Sequence, residues 1–127
     1  MKFLHSSDWH IGRQLHNHSL LDDQRFVLKQ LVDIAQQQQV DAVIIAGDIY
    51  DRSIPPANAV ALLNEVINQL VCHLTIPVIM IAGNHDSHER LGFASQQMAA
   101  SGLHIIGPLN SSLKPIVLTG RSGNAVF

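Results

Sequence analysis

Three short apolar runs, each followed closely by polar and turn-forming residues, constrain most strongly how this chain can fold. The first apolar run, at residues 2–4, is followed by a polar cluster at 8–10. The second run, at 42–46, is followed by a cluster at 47–51, and the third, at 76–82, by a cluster at 83–86. Apolar runs of this length are typical of buried strands, and Gly, Asn and Asp are typical of the loops after them. The pattern predicts that three strand ends each deliver carboxylate, imidazole or carboxamide groups.

Helical segments separate these predicted strands. Apolar residues recur at helical spacing over about residues 20–38 and 59–70, and a shorter helix is predicted over 91–100. Gly102 suits the left-handed position after that helix, and a fourth strand is predicted at 104–106. Strand and helix therefore alternate, which predicts an α/β fold: a mostly parallel sheet flanked by helices. Ligands bind such sheets at the carboxyl ends of the strands, where all three clusters lie.

The connecting segments carry weaker signals. Residues 12–19 show no period and are predicted to form a loop, whereas Pro56 suits the start of the second helix. Residues 115–118 and 125–127 flank a Gly- and Ser-containing turn, which predicts a hairpin. Because the second strand of that hairpin has only begun at Phe127, we expect the chain to be part of a longer protein.

Composition excludes several classes of protein. The 127 residues are 46% hydrophobic, enough for one packed core, and the net charge of −2 gives no overall basic signal for nucleic-acid binding. Cys72 is the only cysteine, which excludes an internal disulfide, and we expect it to be buried near the end of a helix. No signal peptide and no membrane span fit the sequence, so we expect a cytoplasmic protein without membrane contact.

The polar clusters contain ligands for divalent metal ions. Asp8 and His10 lie two residues apart just past a strand, and in extended backbone their side chains would point the same way. Asp48 follows Gly47, whose backbone can turn tightly, and Asp51 can face the same cavity. Mixed oxygen and imidazole ligands suit Mn²⁺, Fe or Zn²⁺. Two such ions roughly 3.5–4 Å apart form a clamp for in-line attack on phosphorus.

Each cluster taken alone also has a purely structural interpretation. Gly47-Asp48 after a strand can be a turn with an Asx hydrogen bond, and Asn84 or Asp86 can cap the following helix. Three clusters in this order, each at a predicted strand end, favour a metal site over separate structural roles. Asn84 then offers a carbonyl oxygen, and His85 a proton donor or a further ligand.

The motifs Asp8-x-His10, Gly47-Asp48-x-x-Asp51 and Gly83-Asn84-His85-Asp86 resemble the first three motifs of the calcineurin-like metallophosphoesterases. The longer stretches at 5–12 and 46–51, with Pro55-Pro56 close behind, resemble the SbcD family of bacterial nuclease subunits. The likeness runs from residue 1 to about 107. It implies the first half of an αββα sandwich, with residues 1–127 as the N-terminal portion of a nuclease domain. The C-terminal half and any capping domain would lie outside this sequence.

The resemblance also implies a metal-binding role for each of four residues. Asp8 and His10 would bind the first of two divalent ions, Mn²⁺ by preference. Asp48 would bridge both ions, and Asn84 would bind the second.

Three further residues take roles in catalysis by resemblance. His85 would stabilise the transition state over the scissile phosphate and protonate the leaving oxygen. Asp51 would pair with His85 and keep it oriented. Arg52 matches an arginine that contacts phosphate in the phosphatase branch of the superfamily.

The sequence departs from the family in one respect. The family completes its site with three further histidines, in a Gly-His motif and a later Gly-His-x-His motif, and this sequence contains neither. His88 and His104 are unsuited by position, and His16-x-His18 is interpreted as part of a solvated or DNA-facing loop rather than a ligand pair. We therefore expect a poorly held second metal and little or no nuclease activity from residues 1–127 alone.

The resemblance implies partners for the intact protein. It would act on DNA with the ATPase SbcC, as an ATP-dependent double-strand exonuclease and single-strand endonuclease in DNA repair, recombination and replication. The family dimerises through helices, so the apolar faces at 20–35 and 59–70 would either contribute to a homodimer or pack on the sheet. Two other functions stay open: a metallophosphoesterase acting on small phosphoesters or phosphoproteins, and a non-catalytic fragment.

Overall fold

A computed structural model of the chain describes residues 1–93, 95–107, 114–120 and 123–127. The strands are β1 (Phe3–Ser6), β2 (Gln14–Leu15), β3 (His18–Ser19), β4 (Ala42–Ala46), β5 (Val78–Ile81), β6 (Leu103–Ile106), β7 (Val117–Gly120) and β8 (Gly123–Val126). The helices are α1 (Leu21–Gln37), α2 (Ala57–Asn68), α3 (His88–Leu91) and α4 (Ser95–Ala99), and a π-helical segment, Gln69–His73, continues α2.

A parallel sheet in the order β1-β4-β5-β6 forms the centre of the structure. Phe3 pairs with Ala42, and Val43 pairs with Val78, which in turn pairs with Leu103. All three pairings are parallel, so the four carboxyl ends lie along one edge. β4 and β5 have nearly continuous apolar sequences, as expected of central strands covered on both faces. The predicted α/β fold with a mostly parallel sheet is confirmed.

Helices α1 and α2 cover one face of the sheet and enclose the main core. α1 contributes Leu28, Val32 and Ala35, whose spacing of four and three residues forms one helical stripe. α2 contributes four buried residues: Ala59, Leu62, Leu63 and Val66. The Arg25 guanidinium on α1 donates a hydrogen bond to the Glu65 carboxylate on α2.

The hairpin of β7 and β8 packs against part of the opposite face of the sheet. Leu118 packs against Ala42 and Ile79 in a second, smaller cluster. The rings of Phe3 and Phe127 meet edge to face with 5.0 Å between their centroids. The predicted hairpin is therefore present, although residues 121 and 122 of its turn lie outside the described residues.

Two predictions of local structure were wrong. Residues 12–19 were predicted as a loop, but β2 and β3 form a short antiparallel hairpin there, because His16 and Asn17 both adopt the positive φ of a tight hairpin turn. The single helix predicted over 91–100 is two helices, and the first begins earlier, at His88. Its start is fixed by the Ser87 hydroxyl, which accepts a hydrogen bond from the backbone N–H of Arg90.

Cys72 is exposed, which corrects the prediction that it is buried. Leu70 and Val71 of the π-helical segment are buried, whereas Cys72, two positions after Leu70, lies on the opposite side of the helical run and is exposed. Val27 and Ile34 fall within the apolar face predicted at 20–35, yet they are 58% and 46% exposed. The buried stripe of α1 passes through Val32 instead. The spacing of apolar residues in the sequence therefore placed the buried face of this helix one residue away from its true position. Among the described residues, no helix combines the length and apolarity needed to cross a membrane.

Candidate metal centre

Three loops meet at the carboxyl edge of the sheet, after β1, β4 and β5. The backbone N–H groups of Asp8 and His10 donate to the carbonyls of Gly47 and Asp48 at 3.1 and 2.9 Å. Ile11 continues this ladder with a bond to the Ile49 carbonyl at 2.9 Å. The first two loops are therefore paired along their backbones beyond the ends of their strands, which holds their polar side chains side by side.

Five of the predicted site residues fall into two overlapping groups. Asp8, His10 and Asp48 each offer one ligand atom, and these three atoms lie within 4.8 Å of one another. His10, Asp51 and His85 form a second group within the same limit. Carboxylate oxygens and imidazole nitrogens at this spacing suit a divalent ion of the Mn²⁺, Fe or Zn²⁺ type. The donor set of the first group therefore fits a divalent metal ion.

The backbone at three of these residues is left-handed. Asp8, His10 and Asp48 have φ values of 56°, 45° and 46°. Side-chain-bearing residues adopt this conformation at a cost of about 1–3 kcal/mol each, and such residues cluster at functional sites. Asp8 and His10 thus come together through left-handed turns, not through the extended backbone on which the sequence argument relied. The paired loops supply the hydrogen bonds that offset this cost.

Gly83 allows the third loop to approach Asp48. A Cβ atom added at Gly83 would lie 2.2 Å from the Asp48 nitrogen and 2.3 Å from Asp48 Oδ1. That same Oδ1 accepts a hydrogen bond from the backbone N–H of His85 at 3.0 Å. Only glycine at 83 permits this contact, which brings the loop of Asn84 and His85 to Asp48.

Asp86 is a buried carboxylate that joins two of the loops. It is 5% exposed, and it accepts hydrogen bonds from the backbone N–H groups of Ile49, Tyr50 and Gly83 at 2.8–3.0 Å. Burial, and secondarily the charge of Asp86, raises the pKa of Tyr50 to about 12. From the sequence, Asp86 was predicted only as a possible helix cap. Its position at the end of the third motif was the one available signal.

Asp51 contacts both histidines of the site, but through different atoms. Its Oδ1 lies 3.4 Å from His10 Nδ1, whereas its backbone carbonyl lies 3.1 Å from His85 Nδ1. The rings of His10 and His85 are perpendicular, with 5.0 Å between their centroids. The expected pairing of Asp51 with His85 is therefore made by the main chain, and the carboxylate faces His10.

The remaining predicted site residues, Asn84 and Arg52, belong to neither of the two groups of ligand atoms. Asn84 and Arg52 are exposed next to His85 and Asp51, so both are open to a ligand arriving from solvent. The other histidines considered lie elsewhere: His16 and His18 in the exposed β2–β3 hairpin, His88 at the start of α3, and His104 in β6. Partial burial lowers the pKa of His104.

Gln24 also belongs to this site, although no sequence motif pointed to it. Its side chain lies against the loop of His10 and makes three hydrogen bonds to the backbone there. A signal for it was present, because a glutamine at 24 lies on the same helical face as Leu21 and Leu28. A polar residue within an apolar stripe has to find partners when it is partly buried.

Comparison with known proteins gives two concordant results. The calcineurin-like phosphoesterase family matches residues 1–119. The D subunit of nuclease SbcCD from Staphylococcus saprophyticus is 42% identical over 127 residues, which is the whole of this chain and 33% of that protein. The protein of the same name in Staphylococcus epidermidis is 42% identical over 120 residues, 94% of this chain and 32% of that protein. The chain spans about a third of the length of these relatives, and it belongs to the calcineurin-like phosphoesterase family.

Proposed function

We propose that the chain is the N-terminal third of an SbcD-type nuclease subunit, which hydrolyses DNA phosphodiesters at a two-metal site. The observation that carries this proposal is the convergence of Asp8, His10 and Asp48 at one edge of the sheet. Identity of 42% to proteins named as nuclease subunits, over the whole chain, supports DNA as the substrate. The rest of the protein would supply the missing histidine ligands and complete the domain.

Four residues would hold the metals, for which we propose Mn²⁺. Asp8 and His10 would bind the first ion and Asn84 the second. Asp48 would bridge them, a role supported by its two contacts: Oδ2 lies 3.9 Å from His10 Nε2, and Oδ1 accepts from the His85 N–H in the Asn84 loop. Bound metal supplies Lewis-acid stabilisation of phosphoryl oxygens and activates water at neutral pH.

His85 would serve as the proton donor to the leaving oxygen. When Nδ1 carries a proton, it can donate to the Asp51 carbonyl at 3.1 Å, which fixes the orientation of the ring. Nε2 is then the atom available to the substrate, and a protonated imidazole there both stabilises negative charge and delivers a proton. Asp51 would position His85 through its carbonyl and His10 through its carboxylate. Arg52, exposed beside them, would contact phosphate.

The proposal includes the setting of the intact protein. It would work in the cytoplasm with the SbcC ATPase on double-stranded ends and single strands, in DNA repair, recombination and replication. It would form a homodimer, for which exposed apolar residues of α1 and α2, such as Val27 and Val60, are candidate contacts. The first 127 residues alone would have little or no nuclease activity, because the site would lack part of its ligand set.

The deciding experiment compares substrates with the full-length protein in Mn²⁺. We expect cleavage of linear duplex DNA, and a loss of at least about 100-fold when His85 is changed to alanine, since a positioned acid contributes that much or more. His73→Ala is the matched control, because His73 is exposed on the π-helical segment. Robust turnover of p-nitrophenyl phosphate without DNA cleavage would favour a small-ester phosphatase and contradict the nuclease proposal. DNA cleavage by residues 1–127 alone, abolished by His85→Ala, would contradict the inactive fragment.

A further inference from the structure

One side chain of α1 makes three hydrogen bonds to the backbone of the turn that carries His10. The Oε1 atom of Gln24 accepts from the Gly12 N–H at 3.0 Å. Its Nε2 donates to the carbonyls of Trp9 and His10 at 3.1 and 2.8 Å. The bonds thus reach His10, whose backbone is left-handed with a φ of 45°, and residues on both sides of it. Gln24 therefore ties the turn to a helix that is itself packed on the sheet, and these three bonds are called the Gln24 brace below.

The chemistry of the turn selects a carboxamide at this position. The Trp9 carbonyl and the Gly12 N–H take their partners from Gln24, and the His10 carbonyl accepts from Gln24 as well as from the Arg13 N–H at 3.1 Å. A glutamine side chain offers both a donor and an acceptor at one end. A carboxylate would offer only acceptors, and an apolar side chain would offer neither. The orientation of the amide is also determined, because flipping it would set the oxygen of Gln24 against the carbonyls of Trp9 and His10.

The Gln24 brace acts at the strained point of the metal loop. On its other side, His10 is held by the loop after β4, where its N–H donates to the Asp48 carbonyl at 2.9 Å. A left-handed residue persists when its surroundings over-determine it. Gln24 supplies a second restraint, from the helix side of the turn.

We infer that Gln24 is a positioning residue for the metal centre: its carboxamide holds the turn that presents His10, without touching metal or substrate. This inference rests on the proposed function, because it assumes that His10 binds metal. Groups that orient metal ligands typically change metal affinity by about 10–100-fold when they are removed. We expect a change of that size from Gln24.

The test uses the 127-residue chain in three matched variants. Gln24→Met keeps the length and helix propensity of the side chain but makes no hydrogen bonds. Gln24→Glu keeps the shape and the acceptor but loses both donors. Gln30→Met is the control, because Gln30 is exposed on the same helix.

Two measurements follow for each variant. Amide hydrogen exchange by NMR without metal reports on the Gly12 N–H, with the N–H of Val43 in the sheet as a measure of the whole fold. Mn²⁺ titration, followed by paramagnetic broadening of the amides at 8–12 and 47–51, reports on metal binding and detects weak sites.

We expect Gln24→Met to speed exchange at Gly12 by about tenfold or more and to raise the Mn²⁺ needed for half-broadening by about tenfold, with Gln30→Met unchanged. Gln24→Glu separates positioning from charge. An added carboxylate would tighten Mn²⁺ binding by Coulomb attraction alone, whereas a lost brace weakens it. We expect weaker binding, and this variant decides the question even if Gln24→Met fails to fold and loses protection at Val43.

Three results would overturn the inference. They are unchanged exchange at Gly12 in Gln24→Met, unchanged Mn²⁺ requirement despite faster exchange, and tighter Mn²⁺ binding in Gln24→Glu. If Mn²⁺ broadened no amide signal in the unmodified chain, that result would count against the proposed metal site itself. Exchange at Gly12 in the metal-free protein thus distinguishes failure of the Gln24 brace from failure of the proposed function.

Discussion

The Oδ2 atom of Asp86 accepts a hydrogen bond from the backbone N–H of Ile49 at 3.0 Å, which links the loop after β5 to the loop after β4. The same carboxylate accepts from Tyr50 and Gly83, so three main-chain donors depend on one buried side chain. Two of these donors belong to one loop and the third to the other. The spacing between Asp48 and the Asn84–His85 segment therefore depends on Asp86.

Asp86→Asn should destabilise the fold by about 2 kcal/mol or more, because the amide group would set its own N–H against backbone donors inside the structure. Chemical denaturation followed by circular dichroism measures the change in the free energy of unfolding. Asp33→Asn is the matched control, since Asp33 is exposed on α1, and it should change stability by less than about 0.5 kcal/mol. Equal effects of the two substitutions would contradict the role assigned to Asp86.

Gly83→Ala should disrupt the candidate metal centre as well as the fold. The new Cβ would lie 2.2 Å from the Asp48 nitrogen, so one of the two loops must move away. We expect a loss of about 1–3 kcal/mol in stability from overpacking, and at least about tenfold weaker Mn²⁺ binding. Gly107→Ala is a useful comparison, because its Cβ would come no closer than 3.1 Å to the nearest atom, the His88 carbonyl oxygen. Mn²⁺ affinity that stays unchanged in Gly83→Ala would contradict the close approach.

The sheet and its helices could be predicted because their signals are local. The apolar runs that became β4 and β5 leave few alternatives, and the alternation with helices implies parallel order. The predicted position of the polar clusters followed from that order, since the carboxyl ends of parallel strands share one edge. Asp8, His10 and Asp48 were therefore expected together from the strand pattern, and they lie together.

The parts that were missed depend on contacts between distant segments or on small changes in backbone twist. The π-helical segment has no local sequence signal, and Cys72 was expected to be buried from its residue type, although its position two residues after Leu70 places it on the solvent side of the helical run. The bonds of Gln24 span 12–15 positions along the chain, and the bonds from the Ile49 and Tyr50 N–H groups to Asp86 span 36–37 positions. Such partners become visible only when the loops are placed in space.

Tyr50 should titrate well above the usual range of tyrosine. Burial, then the charge of Asp86, raises its pKa to about 12 from an ordinary value of 10.0. Tyr50 is the only tyrosine in the chain, so tyrosinate absorbance in metal-free buffer reports on it directly. Because the folded pKa is raised, the stability linked to neutral Tyr50 is fully present below pH 10 and is lost as pH rises through about 12.

Asp86→Asn tests the cause of this shift. Removing the charge should lower the pKa of Tyr50 only partly, because burial is the larger cause. A pKa near 10 in the folded, unmodified chain would contradict the burial of the hydroxyl.

Cys72 should react with thiol reagents while the protein is folded. Its side chain is exposed on the π-helical segment, so no opening of the core is needed for access. We expect complete labelling of the single thiol without denaturant, at a rate within about tenfold of that in denaturant. Cys72→Ser should remove all labelling and change stability by less than about 0.5 kcal/mol, as for other exposed positions. Labelling that required denaturant would instead agree with the buried cysteine expected from the sequence.

Asp51 offers a choice between two roles, because its carboxylate and its carbonyl face different histidines. The carboxylate lies 3.4 Å from His10 Nδ1, and the carbonyl lies 3.1 Å from His85 Nδ1. Asp51→Ala removes only the first of these contacts. If the carboxylate acts mainly on His10, the full-length variant should need about 10–100-fold more Mn²⁺ for activity and should recover near-normal turnover when Mn²⁺ is in excess.

The alternative, in which the carboxylate orients His85 as the family resemblance implies, leads to a different result. Turnover would then fall by about 100-fold or more and excess Mn²⁺ would not restore it, because the defect would lie in proton transfer rather than in metal binding. Measuring DNA cleavage across a Mn²⁺ series for Asp51→Ala and His85→Ala separates the two roles. The geometry of Asp51 predicts that excess Mn²⁺ restores DNA cleavage in Asp51→Ala but not in His85→Ala. The same dependence of cleavage on Mn²⁺ in both variants would contradict this prediction.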